Sequence, residues 1–414
     1  MSTSKLFNSQ TNPIPGIRRD LDVIPMRENG DEYLYFRDPR QYAPQDFALH
    51  RDTGSLLSLL DGRKSLSDLE NYLGDGVTKS DVLEFIQFLD KNRLLDSKFF
   101  KAYAQNMELK YEHGDVHQSV TAGNSYPENP EELRQYLDEA FDQSIPNGTP
   151  EKPKALYAPH IDPRVALNSY VEAFAPIKNL KPKRVVILAT SHYAGWYPQV
   201  YEDHPFILVD KNFQLPLGTI NRDQAVIERL KTKQDCGITA QDRAHRMEHS
   251  IELHLLFLSY LWQHRFSVVP FLVSSLQELL YMDNGHHGQL VDRFTSLLNN
   301  QFAHDDDTFF LISGDLAHTG KKFGDEQPAS TLFAQVENFD QQFMDYGSNN
   351  EPKNMLELLA KDVDPYRICG FPPLYTFLNS MPDLKGEVLS YDRWDERERE
   401  SAVTFGSILY SMKN

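Results

Sequence analysis

Arg184-Val-Val-Ile-Leu-Ala-Thr-Ser-His-Tyr193 is the stretch whose reading decides the fold. Val185 to Leu188 form a short, uninterrupted apolar run, the pattern of a strand covered on both faces by helices. His192 then falls just past the strand's carboxyl end. In open α/β sheets that edge gathers ligands, because its loops carry polar groups on rigid strands. Two further runs repeat the arrangement: Ala155-Leu-Tyr-Ala-Pro leads into His160, and Phe309-Phe-Leu-Ile-Ser-Gly leads into Asp315 and then His318. In a chain with only 14 histidines, three strand ends of this kind point to a shared site.

Working outward, strands and helices alternate from Ala155 onward, the pattern of an α/β layer fold. Phe266 to Val273 is another buried run, and late strands are expected near Gly386–Tyr391 and Ala402–Tyr410. A helix is expected from Pro130 to Phe141, with Leu133, Tyr136, Leu137 and Phe141 on one face. The segment from Ser144 to Pro153 reads as loop. Residues 106–414 are therefore expected to form one α/β domain, a layered mixed sheet flanked by helices.

Residues 1–105 read as a separate small domain. Residues 1–30 are polar and carry Pro13, Pro15 and Pro25, which suggests a disordered lead-in. Glu32 to Phe36 looks like an edge strand and Gln45 to His50 like a second. Three helices follow, one near Ser55–Leu60, one opened by Ser65 with Asp68, and one opened by Thr78 with Asp81, spacings that resemble capping boxes. The third puts Val82, Phe85, Ile86 and Leu89 on one face. Leu94 and Leu95 then read as the start of a wing, and the whole as a winged-helix domain. Between Asp52 and Ser97 stand five basic residues against nine acidic ones, the wrong sign for reading a nucleic-acid groove.

The formal net charge of −18 extends that exclusion to the whole chain, since phosphate-backbone affinity needs clustered Lys and Arg. No apolar run approaches the roughly 18 residues that span a bilayer, and Met1–Gln10 lacks a signal-peptide core. A cytoplasmic protein without membrane contact is expected. Cys236 and Cys369 are the only cysteines, so no disulfide framework is in prospect.

Histidines at strand ends suit a transition metal, because neutral imidazole is a good ligand for iron, copper or zinc. A third ligand is needed in most open, catalytic sites. Cys369, in Arg367-Ile-Cys-Gly-Phe-Pro-Pro, is the candidate, its thiolate stabilised by a neighbouring cation; the plainer reading is a small buried hydrophobe. A competing pattern is His245-Arg-Met-Glu-His249, which reads H-x-x-E-H. On a helix running over 247–262, with Ile251, Leu255, Leu258 and Trp262 as its apolar stripe, His245 and His249 would bind zinc and Glu248 would act as general base of a hydrolase.

Together these segments resemble the Memo family, whose bacterial members are called AmmeMemoRadiSam system protein B and whose fold is similar to LigB-type class III extradiol dioxygenases. The resemblance covers residues 113–414. It rests on Ala122-Gly-Asn-Ser-Tyr-Pro, Ala158-Pro-His160, Ser191-His192, Glu248-His-Ser-Ile-Glu-Leu-His-Leu255, Ser313-Gly-Asp-Leu-Ala-His318 and Ile368-Cys-Gly370, in the family's order. It implies that His160, His192 and Cys369 line a metal site, that Asp315 and His318 complete the pocket, and that the segment bearing Glu248 and His249 packs beside it. The chain departs from the family at His160-Ile-Asp-Pro-Arg164, at Tyr193, where a second histidine is usual, and at Cys369-Gly-Phe-Pro-Pro373. These departures touch the surroundings of the ligands rather than the ligands.

The relatives' two-histidine-one-carboxylate iron chemistry implies an oxidoreductase here, with iron(II) as first choice, copper or zinc as others, and His318 as general acid/base. A binding scaffold is the alternative. The N-terminal domain resembles the PqqD-like peptide-recognition domains through Leu49-His-Arg-Asp-Thr-Gly and Asp61-Gly-Arg-Lys-Ser-Leu, which implies a peptide or protein partner that adds a strand to a sheet edge. The plainer reading is a domain that packs on its neighbour or supports a dimer. The family resemblance also implies radical-SAM and AMMECR-type proteins as partners.

Overall fold

The computed structural model describes residues 5–69, 72, 77–142 and 152–413; residues 144–151 of the expected loop lie outside them. The chain divides into two compact units, Met1–His113 and Gly114–Asn414. The helix Lys98–Glu112 runs across residue 105.

In the first unit, β1 (Asp22–Glu28), β2 (Asp31–Arg37) and β3 (Ala48–His50) form an antiparallel sheet in that order. The expected edge strand around Tyr33–Tyr35 is thus the central one. Residues 22–28, read from sequence as part of a disordered lead-in, are a strand because Asn29-Gly30 closes a two-residue hairpin. Both residues take positive φ, 52° and 96°, as the tight turn matching strand twist requires. Ser65 and Asp68 exchange capping hydrogen bonds, and Thr78 and Asp81 form a full capping box at Lys79–Lys91. Val82, Ile86 and Leu89 of that helix are buried with Leu60, Leu66, Leu69, Leu94 and Leu95 in one core. Leu94 and Leu95 do not open a wing. Arg93, at φ 61°, turns the chain, Leu95 bridges to Ile17, and Ser97 caps the helix that follows by accepting the Phe100 N–H.

The second unit is a mixed α/β layer structure. Its strands are β4 (Val116–Gln118), β5 (Pro153–Ala158), β6 (Arg184–Thr190), β7 (Phe206–Leu208), β8 (Asn212–Leu215), β9 (Gly218–Arg222), β10 (Ile238–Thr239), β11 (Ser267–Val273), β12 (Thr308–Ser313), β13 (His318–Gly320), β14 (Leu384–Glu396) and β15 (Ser401–Met412). They join in one sheet whose main path runs β13-β15-β5-β12-β6-β11-β9-β8-β4. The centre is parallel: β12 pairs with β5 and β6, and β6 with β11. Val186 and Leu188 point into one apolar core, while Val185, Ile187 and Ala189 point into the other. Two helix-covered faces explain why the run at 185–189 shows no polar alternation. The carboxyl ends of β5, β6 and β12 therefore lie side by side, and each delivers a site residue.

Candidate metal centre

His160, His192 and His249 bring ring nitrogens within 4.8 Å of one another, and so do the donor atoms of His160, Asp315 and Cys369. His160 belongs to both groups, so the two triads meet at its imidazole. Cys369 Sγ lies 3.4 Å from His160 Nε2, and Asp315 Oδ2 lies 3.7 Å from the same nitrogen. Donors about 2.0–2.3 Å from a metal sit roughly 3.3–3.8 Å apart when disposed tetrahedrally. The two separations from His160 Nε2 fall in that range, and the donor types suit a transition-metal ion.

His192, His160 and Asp315 are braced by hydrogen bonds. The fully buried Glu248 carboxylate accepts the backbone N–H of His192 at 2.7 Å and pairs with its Nδ1 at 2.9 Å. It also accepts the N–H groups of His249 and Ser250. Burial pushes this carboxyl up, but the His192 imidazole and these donors outweigh it and hold Glu248 down to about 2. With Nδ1 on Glu248, the His192 ring offers Nε2 outward, the usual carboxylate-histidine-metal arrangement. Asp315 accepts the N–H groups of His160 and Ile161 at 2.9 and 3.2 Å; burial lifts its carboxyl to about 7 against those bonds. Burial together with His192 and His249 keeps His160 well below the usual imidazole range, in the neutral form a metal binds.

Backbone geometry brings the Asp315 and Cys369 segments together. A Cβ on Gly370 would stand 2.2 Å from Tyr157 Oη and 2.7 Å from the Asp315 carbonyl, and one on Gly314 would stand 2.2 Å from Gly370 Cα. Only glycines allow the two segments to approach this closely, and the approach sets the 3.3 Å contact from the Asp315 N–H to Cys369 Sγ. His318 donates Nδ1–H to the carbonyls of Leu316 and Arg367 at 3.0 and 3.1 Å, which leaves Nε2 as its basic nitrogen. Arg367 in turn donates Nε–H to the His318 carbonyl and grips Asp325. Burial and the nearby His192 bring His318 down to about 4.

A cleft of about 420 Å³ opens on His192 and Cys369, walled by Leu276, Leu280, Ile368 and Phe371 with Ser191 and Gln277 as polar points. Its charged lining residues are already engaged, Arg367 by Asp325 and Asp364 by the Ile368 N–H.

The structure places His160, His192, Asp315 and Cys369 together, while His318 is in neither donor group. His249, a candidate site residue from the sequence, stacks on His192 at 5.0 Å and joins the donors with His160 and His192 rather than with His245. The H-x-x-E-H zinc reading is overturned. His245 lies in the turn Arg243–Met247, Glu248 is extended, and the helix begins only at Glu252. His245 is buried against His117 and Phe213 instead, because Glu248 must leave helical geometry to reach His192. The residues that brace the donors, Ser313 behind His160 above all, were not singled out from sequence, where a serine after an apolar run marks only a strand's end.

Residues 117–409 match the Memo-like protein family. Among curated relatives, a MEMO1 family protein of Aquifex aeolicus is 27% identical over 389 residues, covering 92% of this chain and 96% of its own. That alignment is too long to be confined to the second unit. MEMO1 family proteins of Thermus thermophilus and Methanocaldococcus jannaschii are 29% and 28% identical, over 70% and 66% of this chain and 80% and 90% of their own. No helix among the described residues is long and apolar enough to cross a membrane. With its motifs in order and most of its length matched, the chain belongs to the Memo-like family.

Proposed function

We propose that this protein is a metal-dependent oxidoreductase, with iron(II) or copper held by His160, His192 and Cys369 and with His249 and Asp315 within reach of the same ion. The observation that carries the proposal is the convergence of imidazole, thiol and carboxylate donors from five separate segments in two groups that share His160. Bound there, the ion supplies redox chemistry and open coordination positions, as soft and imidazole ligands permit for these metals.

The chain's own residues do the rest. Leu276, Leu280, Ile368 and Phe371 exclude water from the cleft and seat the apolar part of a substrate. Engagement of Arg367 and Asp364 within the protein favours an uncharged small molecule or peptide side chain over an ionic one. His318 Nε2 accepts or returns a proton, since its Nδ1 is already committed. Asp315 fixes the backbone that presents His160. The test is oxygen uptake by protein purified anaerobically and loaded with iron(II) or copper(I), across uncharged and ionic candidate substrates. Uptake abolished by His160→Ala supports the assignment; a site that binds the ion yet consumes no oxygen with any candidate favours the scaffold reading.

That second reading draws on the first unit, whose β3 is an edge strand and whose residues share in the Aquifex aeolicus match. There a peptide partner would add to the sheet, and radical-SAM and AMMECR-type proteins would be the associates. Pull-down with those proteins as bait distinguishes it.

A further inference from the structure

Three hydroxyls lie behind the donor atoms. Ser250 and Ser313 are fully buried and Thr190 nearly so. Ser313 Oγ–H donates to the Ser250 carbonyl at 2.7 Å. Ser250 Oγ–H donates to the Thr190 carbonyl at 2.7 Å. Thr190 Oγ1–H faces two carbonyls, Cys369 at 2.7 Å and Ser313 at 3.2 Å. Every acceptor is a carbonyl, which has no proton to give, so all three hydroxyls donate, Ser313 and Ser250 to one carbonyl each.

That direction has a chemical consequence at the start of the chain. Ser313 Oγ also lies 3.0 Å from His160 Nδ1. With its proton on the Ser250 carbonyl, Ser313 can only accept there, so His160 carries its proton on Nδ1. The neutral ring then turns an Nε2 lone pair toward Cys369 Sγ and Asp315 Oδ2. The same three bonds also tie the donor-bearing segments in sequence. Ser313, two residues before Asp315, holds the turn of His249; Ser250 holds the end of β6, two residues before His192; Thr190 holds Cys369.

We propose that Ser313, Ser250 and Thr190 form a directed hydroxyl relay whose task is to fix the His160 tautomer and to set the spacing of the ligand segments. They are positioning residues, Ser313 and Ser250 buried behind the donors and Thr190 at the wall of the cleft. The inference rests on the reading that His160 and Cys369 are metal ligands, and groups in this position typically change metal affinity by about 10–100-fold when removed.

The test uses the full chain with ¹⁵N-labelled histidine, metal-free and then titrated with zinc(II) as a redox-silent probe. The wild type is expected to show His160 protonated at Nδ1. Ser313→Ala is expected to give a mixture of tautomers and about 10–100-fold weaker zinc binding, and Ser313→Thr, which keeps the hydroxyl, to restore both. Ser250→Ala is expected to weaken zinc binding, and the double alanine variant to lose less than the product of the two single losses, as members of one network do. A wild-type His160 protonated at Nε2 overturns the relay without any variant, as does an unchanged tautomer in folded Ser313→Ala. A wild type that binds no zinc while its His160 tautomer still depends on Ser313 upholds the relay and overturns the metal reading instead.

Discussion

Glu248 is a buried carboxylate with four N–H donors around it, and His192 Nδ1 is the one that matters for metal binding. Glu248→Gln keeps the shape and removes the charge, so metal affinity should fall about 10–100-fold, read by competition with a chelator; unchanged affinity would remove Glu248 from the orienting role. His318 stands differently, its Nδ1 bound and its Nε2 free. His318→Ala should lower turnover by about 10²–10⁴-fold while metal content stays constant, and an emptied site would show His318 to be a ligand. At this scale the sequence already carried His160, His192, Asp315, His318 and Cys369, because strand ends and a cysteine loop mark themselves locally. The partners of His249, which the sequence paired with His245, and the three hydroxyls were not legible. Whether an imidazole or a serine faces the site depends on which strand ends are neighbours, and that is a property of sheet order.

The elements show the same division. The apolar stripe Ile251, Leu255, Leu258 was readable, but the helix start at Glu252 was not, since tertiary contacts hold Glu248 extended. Gly314 and Gly370 are the clearest element-level constraint, for they let the Asp315 and Cys369 segments touch. Gly370→Ala should lower both thermal stability and metal affinity, and adding Tyr157→Phe, which removes the hydroxyl 2.2 Å from the new Cβ, should recover part of both. No recovery would mean that the Asp315 carbonyl alone sets the limit. In the first unit the signal for β1 was present as Asn29-Gly30, masked by three prolines. Pro25 pairs with Leu34, three positions from the hairpin's closing pair Glu28–Asp31, so its nitrogen faces the free edge. That edge lacks its middle donor, a known guard against strand pairing. A peptide that adds to this sheet should therefore lie along β3, and protection from hydrogen exchange on β1 rather than on β3 would contradict the assignment.

For the molecule as a whole, the parallel centre and its two cores follow from the continuous apolar runs, whereas the antiparallel β15 on β5 follows from contacts no local pattern announces. Buried carboxyls and buried imidazoles pull its pH response in opposite directions. Burial lifts Asp340 to about 7 against hydrogen bonds from Thr404 and Tyr391, and Asp315 behaves alike. A raised carboxyl binds its proton more tightly in the folded state, so its contribution is complete below the ordinary value near 4 and is lost as pH rises through about 7. Taken alone, each such carboxyl removes up to about 1.4 kcal/mol of stability per pH unit between pH 4 and 7 in the metal-free protein, whereas His160 and His318, held below the usual imidazole range, act with the opposite sign below about 6.5. Asp340→Asn should therefore make stability rise more steeply with pH in that window in denaturant titrations, and an unchanged slope would remove Asp340 from the account. Glu248 has the opposite sign: its contribution is complete above its ordinary value and is lost as pH falls through about 2. The central claim is that the strand ends of β5 and β6 and the Cys369 loop hold one metal ion. Elemental analysis of protein purified anaerobically tests it most directly. One iron or copper per chain, absent from His160→Ala and Cys369→Ala and retained by His245→Ala, is the predicted result; protein that carries no metal under any loading condition, or loses it only with His245, would contradict it.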